Sequence, residues 1–482
     1  MRIPHKKLIQ YNLSRLSEYE NYGRKHAKSI YRWLREFFDE SHSGHNAFEP
    51  SGSLHTKPVN SKPKAHNTTP SVYSYKAIYS RQRSWLDFFT TSVNKIVEHN
   101  YPLQYILKDH PFNELTLRVK RPILIPRPET EEWSTRLALL IRSKLISPST
   151  SPPIEKKQES QPELQLQNRK HKRELKILDL CTGTGCIALN LAKTISSSSS
   201  SFFSSLLSHP VSTRPFDYKC SVVGLDLNPA AVNLATYNKR LNNIENAKFY
   251  QFNVFNLYKL SKRTDFDIVV SNPPYVPSYE YDGTGSDEYV TDSVKKFEDR
   301  HALVPNLSCS NSVRPYKLSS NENHNNARAG YVDSLGIEIH LAIIDFVYTQ
   351  NTKFTTGLPK VVLEVSCSSY YELSTNNSLH AKHSITEKSH SPISYTTAGG
   401  SVCPEVTQQS NALFEMYKNL TLNDIRYHDA SANSNTTANT IKKGGVLSQA
   451  QLLANIIKYK YNRPSVEIWL DCFGKERVVL GY

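Results

Sequence analysis

The residues best suited to chemistry lie in a short loop at 271–275, with the sequence Ser-Asn-Pro-Pro-Tyr. An apolar run at 266–270 precedes it and predicts a buried parallel strand, which two consecutive prolines end because neither can donate to a β-ladder. The loop therefore lies at the carboxyl end of a strand, where open α/β sheets bind ligands. The Asn272 side-chain oxygen and the Pro273 carbonyl suit the two hydrogens of a planar amino group, and Tyr275 offers a stacking face.

A plain proline turn would explain the same four letters, so the upstream segments decide between the two interpretations. A strand at 176–180 leads into a turn and then a helix. Glycines in that turn let the backbone approach a ligand closely, beside the helix amino terminus. The turn consists of Cys181, Thr182, Gly183, Thr184 and Gly185.

The next strand, at 221–226, ends in a carboxylate that is placed to bind both hydroxyls of a ribose. This acid, Asp226, is farther from the turn than usual, and a serine run at 196–201 accounts for the excess as a loop insertion. Cys181 stands where a dinucleotide fingerprint has its first glycine, which disfavours dinucleotide binding. The order of turn, acid and Asn-Pro-Pro-Tyr instead fits an S-adenosylmethionine-dependent methyltransferase that acts on an amino nitrogen.

Composition limits the other function classes. The chain has 482 residues, a net charge of +15, 38% apolar residues and a mean hydropathy of −0.51, which indicates a normal core diluted by polar insertions. The basic balance favours an anionic partner, although scattered lysines more often form a solvated surface. No window approaches 18 apolar residues, which excludes a membrane-spanning helix. The seven cysteines form no CxxC pair, which predicts reduced thiols and no metal site.

The chain is predicted to have three parts. Residues 1–100 form a small helical domain that recognises the substrate, interrupted by a polar insert at 41–71 that is predicted to be disordered. Residues 101–172 hold a hairpin, a proline-rich linker and another insert. Residues 173–482 form the methyltransferase domain. Its polar inserts, also predicted to be disordered, lie near 196–216, 306–328 and 368–445.

The amino-terminal segment 1–17 has four basic residues, no acidic residue and apolar positions on one helical face. This combination is typical of a mitochondrial transit segment. The alternative interpretation is that the segment is the first helix of the domain.

Three motifs resemble a known family. They are Leu-Ile-Pro-Arg-Pro-Glu-Thr-Glu at 124–131, the Asp-Leu-Cys-Thr-Gly-Thr-Gly turn at 179–185 with Asn-Pro-Pro-Tyr at 272–275, and Asp-Cys-Phe-Gly-Lys-Glu-Arg at 471–477. Together they are similar to signatures of the peptide-chain release factor glutamine-N(5) methyltransferases. The helical domain and the linker motif resemble the bacterial and mitochondrial branch of that family.

The resemblance implies an α/β fold: a seven-stranded, doubly wound class I (Rossmann-like) methyltransferase domain, preceded by a small all-α domain and a hairpin linker, with long disordered insertions. It implies methyl transfer from S-adenosyl-L-methionine to the side-chain amide nitrogen of the glutamine in the Gly-Gly-Gln motif of a mitochondrial release factor, which supports translation termination. A monomer in the mitochondrial matrix is expected, without a membrane span and with nucleic-acid contact only secondary.

The resemblance also implies roles for individual residues. Catalysis is expected from Asn272, Pro273 and Tyr275, and substrate binding from these three with Pro274. Cofactor binding is expected from Asp179, Cys181, Thr182, Gly183, Thr184, Gly185, Asp226, Leu227, Asn253, Val254 and Asn272.

Three positions depart from the family pattern. The segment 108–110 lacks the glycine that usually follows Tyr-Ile. Cys181 replaces a glycine, which matters little if the backbone there has an ordinary conformation. Val254 replaces an aromatic residue beside the adenine and cannot stack as a ring would, whereas Asn253 can still pair with the adenine amino group.

Two alternatives remain open. The same loop serves enzymes that methylate adenine in DNA or guanine in RNA, in which the flipped base would lie against Tyr275. A non-catalytic relative acting as an assembly or RNA-binding module is the other alternative. The intact Asp226 and Asn272 argue against it.

Overall fold

The computed structural model describes residues 5–19, 23–42, 72–146, 173–197, 218–260, 265–283, 290–306, 336–349, 357–367, 370–373, 379–382, 426–428, 446–463 and 465–482. These residues form two units. The helical unit comprises Met1–Asp109 with Asp292–Phe297, and the sheet unit comprises His110–Thr291 with Glu298–Tyr482.

The helical unit is built on α1 (His5–Glu18), α2 (Gly23–His42), α3 (Val72–His99) and the short α4 (Leu103–Leu107). In α2 the buried side chains recur every three or four positions, so that one face of the helix is apolar. They are Ala27, Ile30, Leu34 and Phe38. The core of the unit also contains aromatic rings of α3, of which Trp85 and Phe89 stack with their centroids 5.3 Å apart.

The first helix is part of this core. Leu16 of α1 is fully buried, and Asn12 donates a hydrogen bond to the Thr90 hydroxyl at 3.0 Å. Arg15 reaches the Glu98 carboxylate at 2.7 Å. This packing fits the interpretation of the amino-terminal segment as the first helix of the domain.

The sheet unit begins with the predicted hairpin, β1 (Asp109–Phe112) and β2 (Leu115–Arg118), followed by the linker and α5 (Pro128–Ile146). The remaining α-helices and strands described in this unit are, in chain order, β3 (Arg173–Leu180), α6 (Cys186–Ser196), β4 (Tyr218–Asp226), α7 (Pro229–Leu241), β5 (Ala247–Gln251), β6 (Ile268–Ser271), α8 (Ser278–Asp282), α9 (Glu338–Thr349), β7 (Val361–Glu364), β8 (Tyr370–Leu373), β9 (Leu379–Lys382), β10 (Arg426–His428), β11 (Val446–Ser448), α10 (Gln449–Asn455), β12 (Val466–Leu470) and β13 (Glu476–Gly481).

The main sheet has the strand order β10-β12-β13-β7-β6-β3-β4-β5. Strands β7, β6, β3, β4 and β5 are parallel, and β13 runs antiparallel to both of its neighbours. The predicted seven-stranded doubly wound sheet is thus confirmed, with the short β10 added at one edge. All residues of β6 and β7 are buried, because a parallel sheet is covered on both faces.

The order in which successive strands are added to the sheet reverses direction at β3. Strands β4 and β5 lie on one side of β3, and β6 and β7 lie on the other. Such a reversal leaves a crevice beyond the carboxyl ends of the strands, which is the usual ligand site of a doubly wound sheet.

A second, three-stranded sheet has the order β11-β8-β9. Strands β8, β9 and β10 lie within 368–445, a segment whose composition predicts disorder. Most of that segment lies outside the described residues. The same holds for most of each predicted insert at 41–71, 196–216 and 306–328. Among the described residues, no helix combines the length and apolar character needed to cross a membrane.

Replacing Leu16 by Ala should loosen the helical unit, because it leaves a cavity in a closed core. The expected loss is about 2–5 kcal/mol in the free energy of opening of α1 to α3, measured by native-state hydrogen exchange. Tyr11, on the same helix, is 60% exposed, and Tyr11→Ala should change that energy by less than about 0.5 kcal/mol. Equal effects of the two substitutions would contradict the packing of α1.

Candidate active site

A cavity of about 370 Å³ opens at the carboxyl ends of β3, β4 and β6. Its volume lies in the range of about 300–1,000 Å³ that is usual for small-molecule sites. The loop 299–306 forms part of the wall. Of the predicted site residues, the cavity is lined by Cys181, Gly183, Asp226, Leu227, Asn253, Val254, Asn272 and Pro274.

Asp226 is held rigidly on the cavity wall by backbone donors. Its Oδ2 accepts a hydrogen bond from the Gly183 amide and its Oδ1 accepts one from the Asn228 amide, both at 2.8 Å. Burial raises the pKa of Asp226, the two amides act in the opposite direction, and the nearby Asp299 raises the pKa further. Each carboxylate oxygen can accept a second hydrogen bond, so the side chain retains the capacity to bind hydroxyl groups.

The glycine-rich turn has the open backbone that its sequence predicts. Gly183 has a φ of +55°, and a Cβ added there would meet no atom within 4 Å. Gly185 has a φ of +82° and lies close to Ala235. The turn thus approaches the cavity at Gly183 and packs against the protein at Gly185.

The remaining turn residues have an internal role. Thr182 and Thr184 are buried, and the Thr182 hydroxyl donates to Asp179 at 2.6 Å. Burial raises the pKa of Asp179 to about 7. These residues and Gly185 are not among those that line the cavity, so they shape the turn rather than the cavity surface.

Cys181 lies in a conformation that glycine tolerates better. Its φ is +59°, so the ordinary backbone conformation under which the replacement of glycine would matter little is not present. In the left-handed region the Cβ of an L-residue approaches a carbonyl oxygen, at a cost of about 1–2 kcal/mol. Burial raises the pKa of the Cys181 thiol, and the negative charges of Asp226 and Asp179 raise it further. The raised pKa favours the neutral thiol.

The segment after β5 lines the cavity with two aromatic rings. The Asn253 Oδ1 accepts a hydrogen bond from the Phe255 amide at 3.0 Å and begins a 3₁₀-helix, Val254–Leu260. Phe252 and Phe255 line the cavity together with Val254. Rings are therefore present on both sides of the position where Val254 cannot stack. Their adjacency in the sequence was the signal that could have identified them.

The Asn-Pro-Pro-Tyr loop leaves β6 as predicted, but its residues divide into two groups. Asn272 and Pro274 line the cavity, whereas Pro273 and Tyr275 are not among the lining residues. The Tyr275 hydroxyl donates to Glu364 Oε1 at 3.3 Å, and its carbonyl accepts from the Gln449 side chain at 3.2 Å. Burial, followed by the charge of Glu364, raises the pKa of Tyr275.

Glu364, at the end of β7, is a buried acid that the sequence analysis did not select. Its Oε2 accepts hydrogen bonds from the Thr130 hydroxyl at 2.7 Å and from the Trp133 ring nitrogen at 2.6 Å. Thr130 in turn accepts from Asn272 Nδ2 at 3.2 Å. Burial raises the pKa of Glu364, while the Trp133 and Thr130 bonds lower it. A glutamate closing an otherwise apolar strand at 361–364 was the available signal.

The linker is attached to the cavity wall through a second acid. Glu298 is buried and accepts from the Ile125 amide at 3.0 Å and from the Arg127 guanidinium at 2.8 Å. The next residue, Asp299, accepts hydrogen bonds from the amide and the ring of His301. The linker and the loop 299–306 therefore form one connected wall.

The strand order and the site at the strand ends define a class I methyltransferase domain. Residues 171–310 match a family model described as a methyltransferase domain. A solved SAM-dependent methyltransferase from Agrobacterium tumefaciens is 14% identical over 53% of this chain and 51% of that chain, with a TM-score of 0.25.

The sequence relatives show a narrower resemblance. The mitochondrial MRF1 N(5)-glutamine methyltransferase MTQ1 of Saccharomyces cerevisiae is 31% identical over 43% of this chain and 51% of that protein. The release factor glutamine methyltransferase of Fusobacterium nucleatum is 31% identical over 42% of this chain and 41% of that protein. The resemblance to the release factor glutamine methyltransferase family is thus confirmed. The chain spans about half the length of the curated relatives it matches.

The strain at Cys181 leads to a stability prediction. Cys181→Gly should be more stable than Cys181→Ala by roughly 0.5–1 kcal/mol, because relief of about 1–2 kcal/mol of left-handed strain outweighs the entropy of a glycine in the unfolded chain, about 0.4–1 kcal/mol. The measurement is thermal unfolding of the two variants under one condition. A glycine variant less stable than the alanine variant would contradict the assigned strain.

Proposed function

We propose that this chain transfers a methyl group from S-adenosyl-L-methionine to the side-chain amide nitrogen of the glutamine in the Gly-Gly-Gln motif of a mitochondrial peptide-chain release factor. The observation that carries the proposal is the orientation of Asn272. This residue lines the cavity at the end of β6, and its Nδ2 is bound to Thr130. The carboxamide therefore offers its oxygen as an acceptor for a substrate amino group.

The cavity residues fit the proposed cofactor. The space beside Gly183 is open, as a close ligand approach requires, and Asp226 retains acceptor capacity for ribose hydroxyls. We assign the methionine part to Cys181 and Gly183, and the adenine to Asn253 and the rings around it. When bound, S-adenosylmethionine supplies an electrophilic methyl group.

The chain's contribution to the reaction is to position the substrate amide. Asn272 Oδ1 and the Pro273 carbonyl accept the two amide hydrogens and turn the nitrogen lone pair out of conjugation. Fixed acceptors of this kind lower the barrier through orientation and preorganised electrostatics. No general base is required before transfer, because the nitrogen can lose its proton afterwards. Pro274 borders the amide slot from the cavity side.

Two further observations support the assigned substrate and compartment. The yeast relative is named a mitochondrial MRF1 N(5)-glutamine methyltransferase, and the Fusobacterium relative is named a release factor glutamine methyltransferase. We assign the helical unit the role of holding the release factor. Its exposed residues are rich in Lys and Arg along the first half of α2, which suits an acidic or ribonucleoprotein surface.

The first test is methyl transfer from labelled S-adenosylmethionine to a purified mitochondrial release factor. Label is expected on the wild-type factor and not on its Gly-Gly-Ala variant. Asn272→Ala should lower the turnover number by about 10²–10³, by analogy with the loss of one preorganised hydrogen-bonding group. Total RNA and DNA serve as controls, and label on either of them, with none on the factor, would favour the base-modifying alternative.

The assignment of Asp226 is tested by cofactor binding alone. Asp226→Ala should weaken S-adenosylmethionine binding about 10- to 150-fold, since hydrogen bonds to a charged group contribute about 1.5–3 kcal/mol. Isothermal titration of the full chain measures this. Asp265→Ala, which removes an exposed acid before β6, is the matched control and should leave the affinity unchanged. Unchanged affinity in Asp226→Ala would refute the assignment.

A further inference from the structure

We propose that Thr130 and Glu364 are positioning residues that determine which end of the Asn272 carboxamide faces the substrate. This inference rests on the proposed function and deepens it. Thr130 belongs to the linker motif and Glu364 is a buried acid, and neither is among the residues that line the cavity. The orientation of Asn272 is set by a series of hydrogen bonds whose direction is determined at one end.

The Thr130 hydroxyl has a single hydrogen. Its oxygen lies 2.7 Å from Glu364 Oε2, and the hydrogen is donated to that carboxylate oxygen. Toward any other neighbour, Thr130 Oγ1 can then act only as an acceptor. The neighbour at 3.2 Å is the Asn272 side chain, so the amide must present its Nδ2 there.

The direction of this series of hydrogen bonds is set by the donors around Glu364. Trp133 Nε1 lies 2.6 Å from Oε2, and an indole nitrogen can only donate. The two distances to Oε2 are as short as those of hydrogen bonds to a charged acceptor. Burial raises the pKa of Glu364, and the nearby Arg477 guanidinium acts in the opposite direction. The Tyr275 hydroxyl donates to Oε1, so that donors occupy both carboxylate oxygens. Glu364 therefore accepts hydrogen bonds and does not donate.

The orientation decides whether the site can bind an amino group. With Nδ2 bound to Thr130, Oδ1 occupies the other branch of the planar amide and is the acceptor that a substrate NH2 group needs. A flipped Asn272 would set Oδ1 against Thr130 Oγ1, two acceptors that share no hydrogen. It would also present an NH2 group to the NH2 group of the substrate. Either contact would be unfavourable, so Thr130 selects the productive orientation.

The kinetic test compares two substitutions at one position. Thr130→Val keeps the shape of the side chain and removes the hydroxyl. It should lower kcat about 10- to 100-fold. The KM for the release factor and the affinity for S-adenosylmethionine should both stay within twofold of wild type. Thr130→Ser keeps the hydroxyl and should retain kcat within about threefold. Equal kcat values for the two variants would overturn the proposal.

A double-substitution cycle separates positioning from a general structural effect. If Thr130 acts through Asn272, adding Thr130→Val to Asn272→Ala should lower single-turnover methyl transfer by less than twofold further. Multiplicative losses would show that Thr130 acts independently of Asn272, and would overturn the inference.

A substrate-free measurement keeps this inference separable from the proposed function. In the full chain labelled with ¹⁵N-asparagine, the Asn272 side-chain signal is identified by its loss in Asn272→Ala. Its two hydrogens should exchange with solvent at different rates in wild type and Thr130→Ser, and at similar, faster rates in Thr130→Val. An Asn272 signal unaffected by Thr130→Val overturns the positioning role even if the factor is methylated. If wild type transfers no methyl group to the factor but the signal responds as expected, the assigned substrate is wrong and the positioning role stands.

Discussion

The buried carboxylate of Glu364 is the group on which the geometry of the site depends. A carboxyl group at the end of a covered strand is costly to bury unless donors surround it. Those donors come from Thr130 and Trp133 in the first turns of α5 and from Tyr275 after β6. The charge of Arg477, itself bound to Asp471 at 2.9 Å, acts in the same direction. Groups from three segments thus surround one buried acid, which couples the positions of these segments.

This coupling explains why motifs far apart in the chain serve one site. The linker motif, the Asn-Pro-Pro-Tyr loop and the carboxyl-terminal motif each contribute a group that faces the same acid. Gln449 holds the loop from another side, since its amide donates to the Tyr275 carbonyl while its oxygen accepts from the Ser366 amide. The reactive loop is therefore held through both its backbone and its side chains. Such support from neighbouring residues is what keeps a functional group in a productive geometry.

Much of the fold follows from patterns that are local in the chain. The apolar run before Asn272 predicts a buried strand, the prolines predict where it ends, and the glycines predict the turn at Gly183. In these cases backbone sterics and burial act over a few residues, so the sequence is informative. The same reasoning did not specify the conformation of Cys181, whose φ is +59°. Strand β10 was missed because it pairs with a distant strand, β12.

The sequence by itself determined the class of chemistry. It specified a sheet with a glycine turn, a carboxylate for a ribose and two acceptors for an amino group, each within a short segment. Only the tertiary structure decided which of these groups face the cavity and which face the interior. Tyr275 illustrates the limit. The sequence offers its ring as a stacking face, whereas in the structure Tyr275 is not among the residues that line the cavity, and its hydroxyl donates to Glu364. The physical reason is that the direction of a hydrogen bond depends on its partner, and the partners here come from positions 130, 272 and 364, which only folding brings together.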